Sequence, residues 1–241
     1  MMMTIDDAVA KRRSVRGYLP DEVPQDILRE VLGLAQQAPS NCNIQPWITH
    51  VLSGPSLRGL GRKMVAAAQA EIPPDPDFAA DRKFEGVYRA RQIDAAMQLY
   101  GAMGIKRHDR PRRDWAYRRN LDFFGGPHAA LIFLHHTFEE REAVDLGIYA
   151  QTLMLLLTSR GISSCAQGAL GLYPGIVRDH LGLPDTHRLI FGISFGYEDA
   201  AVDANRARVG RAGLDETVIF HRDGYSTRPT TECDQGLRRS E

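Results

Sequence analysis

The sequence predicts an α+β layer in which helices surround a small sheet. Three observations carry this. Strand-like runs are few and short, helical periodicity fills most of the rest, and the two alternate irregularly instead of repeating as βαβ units. At 241 residues and 43% hydrophobic content, the chain is long enough to hide roughly 70% of its unfolded surface. No internal repeat or clean linker divides it, so a single domain over residues 1–241 is expected.

The elements follow in order. Thr4 with Asp7 forms a capping-box pair that opens a short helix running into Lys11-Arg12-Arg13. Pro24 suits a first helical position, and Ile27, Leu28, Val31, Leu32, Ala35 and Ala38 recur from it at helical spacing, in a helix that must stop before Pro39. Residues 39–46 form a polar loop, Trp47–Leu52 a strand, and Leu57 to about Ala70 a helix. Pro73, Pro74 and Pro76 then punctuate the chain, and residues 73–119 read as a helical excursion from the core. Ala129–Leu134 is an apolar run that fits a buried strand. Glu139–Arg160 is helical, and its second half is apolar nearly all round, so it needs cover on every side, from the core or from a second subunit. Gly161 closes that helix, Ser163–Ala166 is a short strand, Pro174–Leu181 a short helix and Arg188–Phe195 the clearest remaining strand.

Composition excludes several function classes. Thirty basic residues balance thirty acidic ones, which argues against nucleic acid or an anionic membrane as the main partner. No run approaches the roughly 20 apolar residues of a spanning helix. Asp6 and Asp7 stand where a signal peptide needs basic and then apolar residues, and three scattered cysteines fit neither a disulfide framework nor a zinc cluster, so a reducing cytoplasm is expected. Small molecules are the expected partners.

Several motifs compete. Gly192-Ile193-Ser194-Phe195-Gly196 matches a nucleophile elbow, and His221 with Asp199, Asp203 or Asp215 completes the order of a serine hydrolase. Against this, a polar stretch follows Ser194 where a helix is required, so a strand ending in small residues for close packing is the stronger reading. His135-His136 ends a strand, where neighbours point to opposite faces, so no shared metal is expected. Neither a Walker A sequence nor a G-x-G-x-x-G after a strand occurs, and a phosphate would have to be held by side chains. Arg12-Arg13-Ser14-Val15-Arg16 and Asn205-Arg206-Ala207-Arg208-Val209-Gly210-Arg211 offer guanidinium forks suited to that task. Between them lies Ala38-Pro39-Ser40-Asn41-Cys42-Asn43-Ile44-Gln45-Pro46-Trp47, a stiff loop rich in amides.

Together these runs resemble the flavin-dependent nitroreductase family. The basic opening at 12–16 and the loop pattern A-P-S-x-x-N-x-Q-P-W at 38–47 carry the resemblance, supported by Phe124-Gly125-Gly126-Pro127, Gln167-Gly168, the glycine-rich strand end at 192–196 and the run from Asn205 to Arg211. The resemblance implies a mostly antiparallel sheet flanked by helices in an intertwined homodimer, with FMN at the subunit interface. It implies hydride transfer from NADPH or NADH through FMN to a nitroaromatic or quinone by a ping-pong mechanism. By resemblance, Arg12, Ser14, Arg206 and Arg208 hold the phosphate and ribityl chain, with Arg13 nearby, and Arg16 lies at the N1/C2 carbonyl edge of the flavin. Asn120 meets the pyrimidine edge, the backbone of Gln167 or Gly168 faces N5, and Pro39, Ser40, Asn41, Asn43 and Gln45 reach in from the other subunit. No side chain is then needed as a general acid or base.

The excursion holds the chain's local charge imbalance, with seven basic residues between Lys106 and Arg119. One reading makes it a lid whose Trp115 and Tyr117 stack on substrate while Arg112 and Arg113 attract the extra phosphate of NADPH or an acidic aromatic; the other makes it a solvated surface. The runner-up function is a flavin-binding redox sensor, or a relative acting in dehalogenation or flavin breakdown, and a hydrolase using Ser194 is a distant third.

Overall fold

The structure is a computed structural model and describes residues 3–79, 83–222 and 225–226. Its centre is a four-stranded sheet of β1 (Trp47–Ser53), β2 (His128–His135), β3 (Ser163–Gln167) and β4 (His187–Gly196), in the spatial order β1-β2-β4-β3 with every pair antiparallel. A hairpin of β5 (His221–Arg222) and β6 (Tyr225–Ser226) stands apart from it.

The helices α1 (Ile5–Lys11), α2 (Gln25–Ala35), α3 (Gly54–Gln69), α4 (Gly86–Ala102), α5 (Arg110–Arg118), α6 (Glu140–Ser159), α7 (Pro174–Leu181) and α8 (Leu214–Thr217) surround the sheet. The expected capping box of Thr4 and Asp7 opens α1. Gly161, at φ +73°, follows α6 in the left-handed conformation that glycine adopts without cost.

Strand β2 is buried along both faces, which explains its unbroken apolar run. Ala130, Ile132 and Leu134 pack with α2 and α6, together with Trp47, Tyr149, Leu153 and Phe195. Ala129, Leu131 and Phe133 pack with α3 and α7, together with Leu60, Met64 and Val177. A bulge makes both faces continuous in β4: register passes from Phe191 opposite Ile132 to Leu189 opposite Phe133, so one extra residue turns Leu189 onto the α3 and α7 face.

Helix α6 is covered by the core on one side and left open on another within the single chain. Leu146, Tyr149, Ala150, Leu153 and Leu157 are buried, but Val144 is 63% and Ile148 38% exposed. The excursion comprises α4 and α5, and Met103, Ile105 and Ala116 anchor it against Ala204 and Val202. No residue of α4 is buried, and its Tyr88, Ile93 and Met97 are open to solvent.

The small residues ending β4 serve close packing. A Cβ on Gly192 would lie 2.5 Å from Leu170 and 2.9 Å from Leu131, and one on Gly196 2.6 Å from Pro127. The least forgiving case is Gly171, where a Cβ would sit 2.6 Å from the backbone oxygen of Ile190. Gly171→Ala is expected to cost about 2 kcal/mol, because backbone on both sides must move. A urea unfolding midpoint equal to that of the parent protein would refute this.

Candidate active site

Residues 14–19 leave α1 and lie along the sheet. Val15 N donates to Ser164 O at 3.1 Å in a parallel bridge beside β3, and Leu19 N donates to Tyr197 O at 2.8 Å beyond the end of β4. The first basic run is thereby fixed along β3, next to Gln167 and Gly168.

The second basic run reaches the same place through Asn205. This side chain is 3% exposed; its Oδ1 accepts from Arg16 N at 2.6 Å, and its Nδ2 donates to Gly17 O at 2.8 Å and Asp199 O at 2.9 Å. Its backbone oxygen accepts from Arg13 Nη1 at 3.1 Å and Arg208 Nη1 at 2.8 Å. One buried amide therefore joins two segments nearly 190 positions apart.

Between the joined segments opens a hollow of about 960 Å³, lined by Lys11, Arg12, Arg13, Arg208 and Arg211 among others, with Gln151 and Met154 of α6 at one wall. So many donors around one space suit a phosphate dianion. Arg13 is paired with Glu198, which makes it a strut more than a free cation. Arg206 does not line the hollow; its exposed side chain pairs with Asp203 at 3.1 Å.

A second opening lies on the other side of this segment. Arg16 and Asn120 line a cleft with Tyr100, Tyr117, Arg119 and Phe124, walled by Leu99, Met103 and Ala116 of the excursion. Gln167 ties β3 to it, since its Nε2 donates to Asn120 O at 2.9 Å. Gln167 Oε1 and Ser164 Oγ are buried without a partner among the described residues. Buried polar atoms without partners are rare; Gln167 reaches the cleft lining through Asn120, while Thr49 Oγ1, His50 Nε2 and Tyr149 OH are unpaired elsewhere among the described residues. The charges, the space and the unpaired atoms fit FMN: a dianionic phosphate in the hollow, a polar isoalloxazine edge by Arg16, Asn120 and Gln167.

Phe123, Phe124 and Gly125 have φ of +52°, +55° and +74°, a left-handed turn that presents Phe124 to the cleft. Arg119 stabilises it by donating to Phe124 O at 3.1 Å, while its guanidinium lies 5.5 Å from the Trp115 ring centre and 5.9 Å from that of Phe124. Burial lowers the pKa of this guanidinium.

The loop at 39–45 lies outside both linings. Asn41 N donates to Asp145 Oδ2 at 3.1 Å and Gln45 N to Ser40 Oγ at 2.9 Å, which holds Cys42, Asn43 and Gln45 at positive φ. Three such residues store backbone strain of about 1 kcal/mol or more each. The amides of Asn43 and Gln45 nevertheless face solvent.

Other candidates change meaning. Ser194 is fully buried within β4 and shares a 3.2 Å hydrogen bond with the Tyr18 hydroxyl, so it is not a nucleophile elbow. The rings of His135 and His136 lie 4.5 Å apart instead of on opposite faces, because His136 is beyond the strand end. No metal-holding cluster occurs among the described residues. Cys42 is exposed, Cys165 is buried with its thiol pKa raised by that burial, and Cys233 lies outside the described residues. Arg112 donates to Gly104 O and Met103 O, both at 2.9 Å, and Arg113 to Arg107 O at 3.1 Å while stacking over Tyr100. These two arginines bind the excursion together. Tyr117 lines the cleft; Trp115 does not, though Arg119 connects it to the cleft.

Sequence reasoning missed Asn205 as a hub, Asp145 as the tether of the loop, and Arg119. The available signal for Asn205 was its place at the head of a basic run and for Arg119 its place at the end of the run from Lys106; nothing local marked Asp145.

The family model "Nitroreductase family" matches residues 9–197. The chain is 43% identical over 212 residues to nitroreductase NfnB of Mycolicibacterium smegmatis, covering 88% of this chain and 90% of the relative. It is 35% identical over 224 residues to 4-nitrobenzoate reductase of a Nocardioides species, covering 89% of each. Among solved structures it matches the FMN-dependent nitroreductase NfnB from Mycobacterium smegmatis in complex with NADPH, with a TM-score of 0.87 and 42% identity over 90% of this chain and 97% of that one.

Proposed function

Because the chain belongs to the nitroreductase family, we propose that it is an FMN-dependent oxidoreductase that passes a hydride from NADPH or NADH to nitroaromatic or quinone acceptors. The observation that carries this reading is the convergence of the two basic runs, through Asn205, on one cation-lined hollow. FMN, when bound, supplies the hydride chemistry.

The chain's own residues hold and bias that cofactor. Arg12 and Arg208, which line the hollow, take the phosphate end; Ser14, outside the lining, is assigned to it by the family resemblance alone, and Arg13 is steadied by Glu198 beside them. Arg16 places a fixed cation at the edge where reduced flavin gathers negative charge, which favours the reduced form. Asn120 and the backbone of Gln167 and Gly168 meet the ring.

A homodimer is part of the proposal. The strained, solvent-facing amides of Asn43 and Gln45 with Pro39, Ser40 and Asn41, the bare flank of α6 and the uncovered apolar residues of α4 are accounted for if a second copy packs there and receives the loop at its own flavin. Donor and acceptor then use one flavin face in turn, giving ping-pong kinetics, within a single domain working in the cytoplasm. No helix among the described residues is long and apolar enough to cross a membrane.

Purified protein is expected to be yellow, or to become so with FMN, to bleach with NADPH and to recolour when a nitroaromatic is added. Protein that takes up no flavin would defeat the proposal. Bleaching without reoxidation by nitroaromatics or quinones would move it to the redox-sensor reading.

A further inference from the structure

We propose that Arg119 is a specificity-determining anchor for the acceptor, taking the carboxylate of an aromatic acid whose ring edge lies in the cleft between Tyr100, Tyr117 and the Arg16 side. The inference rests on the flavoenzyme reading above and deepens it by naming a substrate class and the residue that selects it.

Arg119 is a half-buried cation with no carboxylate at ion-pair distance among the described residues. Asp122 is outside ion-pair distance, but it attracts Arg119 and opposes the lowering of its pKa by burial; its Oδ1 lies 2.9 Å from where a Cβ of Gly61 would stand. Charges removed from water are ordinarily paired, because the solvation they lose must be replaced. Arg119 instead has one hydrogen bond, to Phe124 O, and two aromatic rings. Those contacts restrain the side chain and leave further N–H donors unpaired among the described residues, available for bidentate carboxylate binding. The cleft beside it encloses about 60 Å³ and is lined by aromatic and aliphatic side chains, so it takes the edge of a substituted benzene ring and leaves the rest outside. Arg112 and Arg113, the arginines that sequence favoured for this task, are tied to carbonyls of the excursion itself.

The experiment compares the FMN-loaded enzyme with its Arg119→Gln and Arg119→Lys variants on 4-nitrobenzoate and nitrobenzene. The ratio of kcat/KM for the acid over the neutral compound is expected to fall about twentyfold in Arg119→Gln, the loss of a charge-assisted pair, and by less in Arg119→Lys, which keeps the charge but not the fork. Calorimetric titration with benzoate, which is not reduced, gives a readout independent of turnover, and its Kd is expected to rise by a similar factor. An unchanged ratio and unchanged benzoate affinity overturn the proposal. So does an equal loss on both acceptors with a lowered Tm, which marks Arg119 as only a brace for the Phe124 turn. If the parent enzyme reduces neither compound, the flavoenzyme reading itself fails; if it reduces nitrobenzene but Arg119→Gln leaves the ratio intact, only the anchor fails.

Discussion

Replacing Asn205 by leucine is expected to remove about 3 kcal/mol of stability and to abolish flavin binding at the same stroke. The amide is buried and satisfies Arg16 N, Gly17 O and Asp199 O. Leucine is close to it in size but leaves Arg16 N without a partner, at about 1–3 kcal/mol, and takes one of two bonds from Gly17 O and Asp199 O, which still accept from Asp199 N and Val202 N. The total is a large share of the roughly 5–15 kcal/mol that holds a domain folded. Asn205→Asp preserves the acceptor for Arg16 N while losing both donated bonds, and its loss of stability is expected to be intermediate. Urea unfolding of the three proteins without flavin checks the order, and equal midpoints would refute the hub.

The second large effect concerns the hollow. The double variant Arg12→Ala with Arg208→Ala is expected to weaken FMN binding about a thousandfold, since two charge-assisted contacts at about 2 kcal/mol each amount to three decades in Kd. Both residues line the hollow, and neither has a carboxylate partner among the described residues. Flavin fluorescence titration at two salt concentrations is the measurement. The parent protein is expected to lose affinity with salt more steeply than the variant, and similar Kd values would place the phosphate elsewhere.

Much of this was legible because it is local. The capping box of Thr4 and Asp7, the apolar stripe of α2, the proline that starts α7 and the apolar run of β2 are patterns within a few residues, and the structure forms each of them. The basic runs could be nominated as anion ligands by composition. What could not be read was how they are held. The Val15 bridge to Ser164 and the Asn205 junction link distant segments and leave no trace in spacing. The positive φ of Phe123 and Phe124 runs against the preference of aromatic residues, so no propensity announces the turn. Arg112, Arg113 and Arg119 look alike in sequence; which of them braces helices and which lies beside the cleft depends on neighbours folded against them.

The strand order has a consequence for biosynthesis. Strands β2 and β3 do not touch each other; β4, the last strand of the sheet to leave the ribosome, pairs with both. Until residue 196 has been made, β2 has an open edge that the finished sheet closes, and the apolar residues on both its faces lack the strand that completes their two cores. Such an intermediate carries the bare edge and apolar surface that recruit other chains. Translational pausing between β3 and β4 should therefore be the moment at which this protein most depends on chaperones, and ribosome-bound chains halted before residue 187 are where that dependence would be seen.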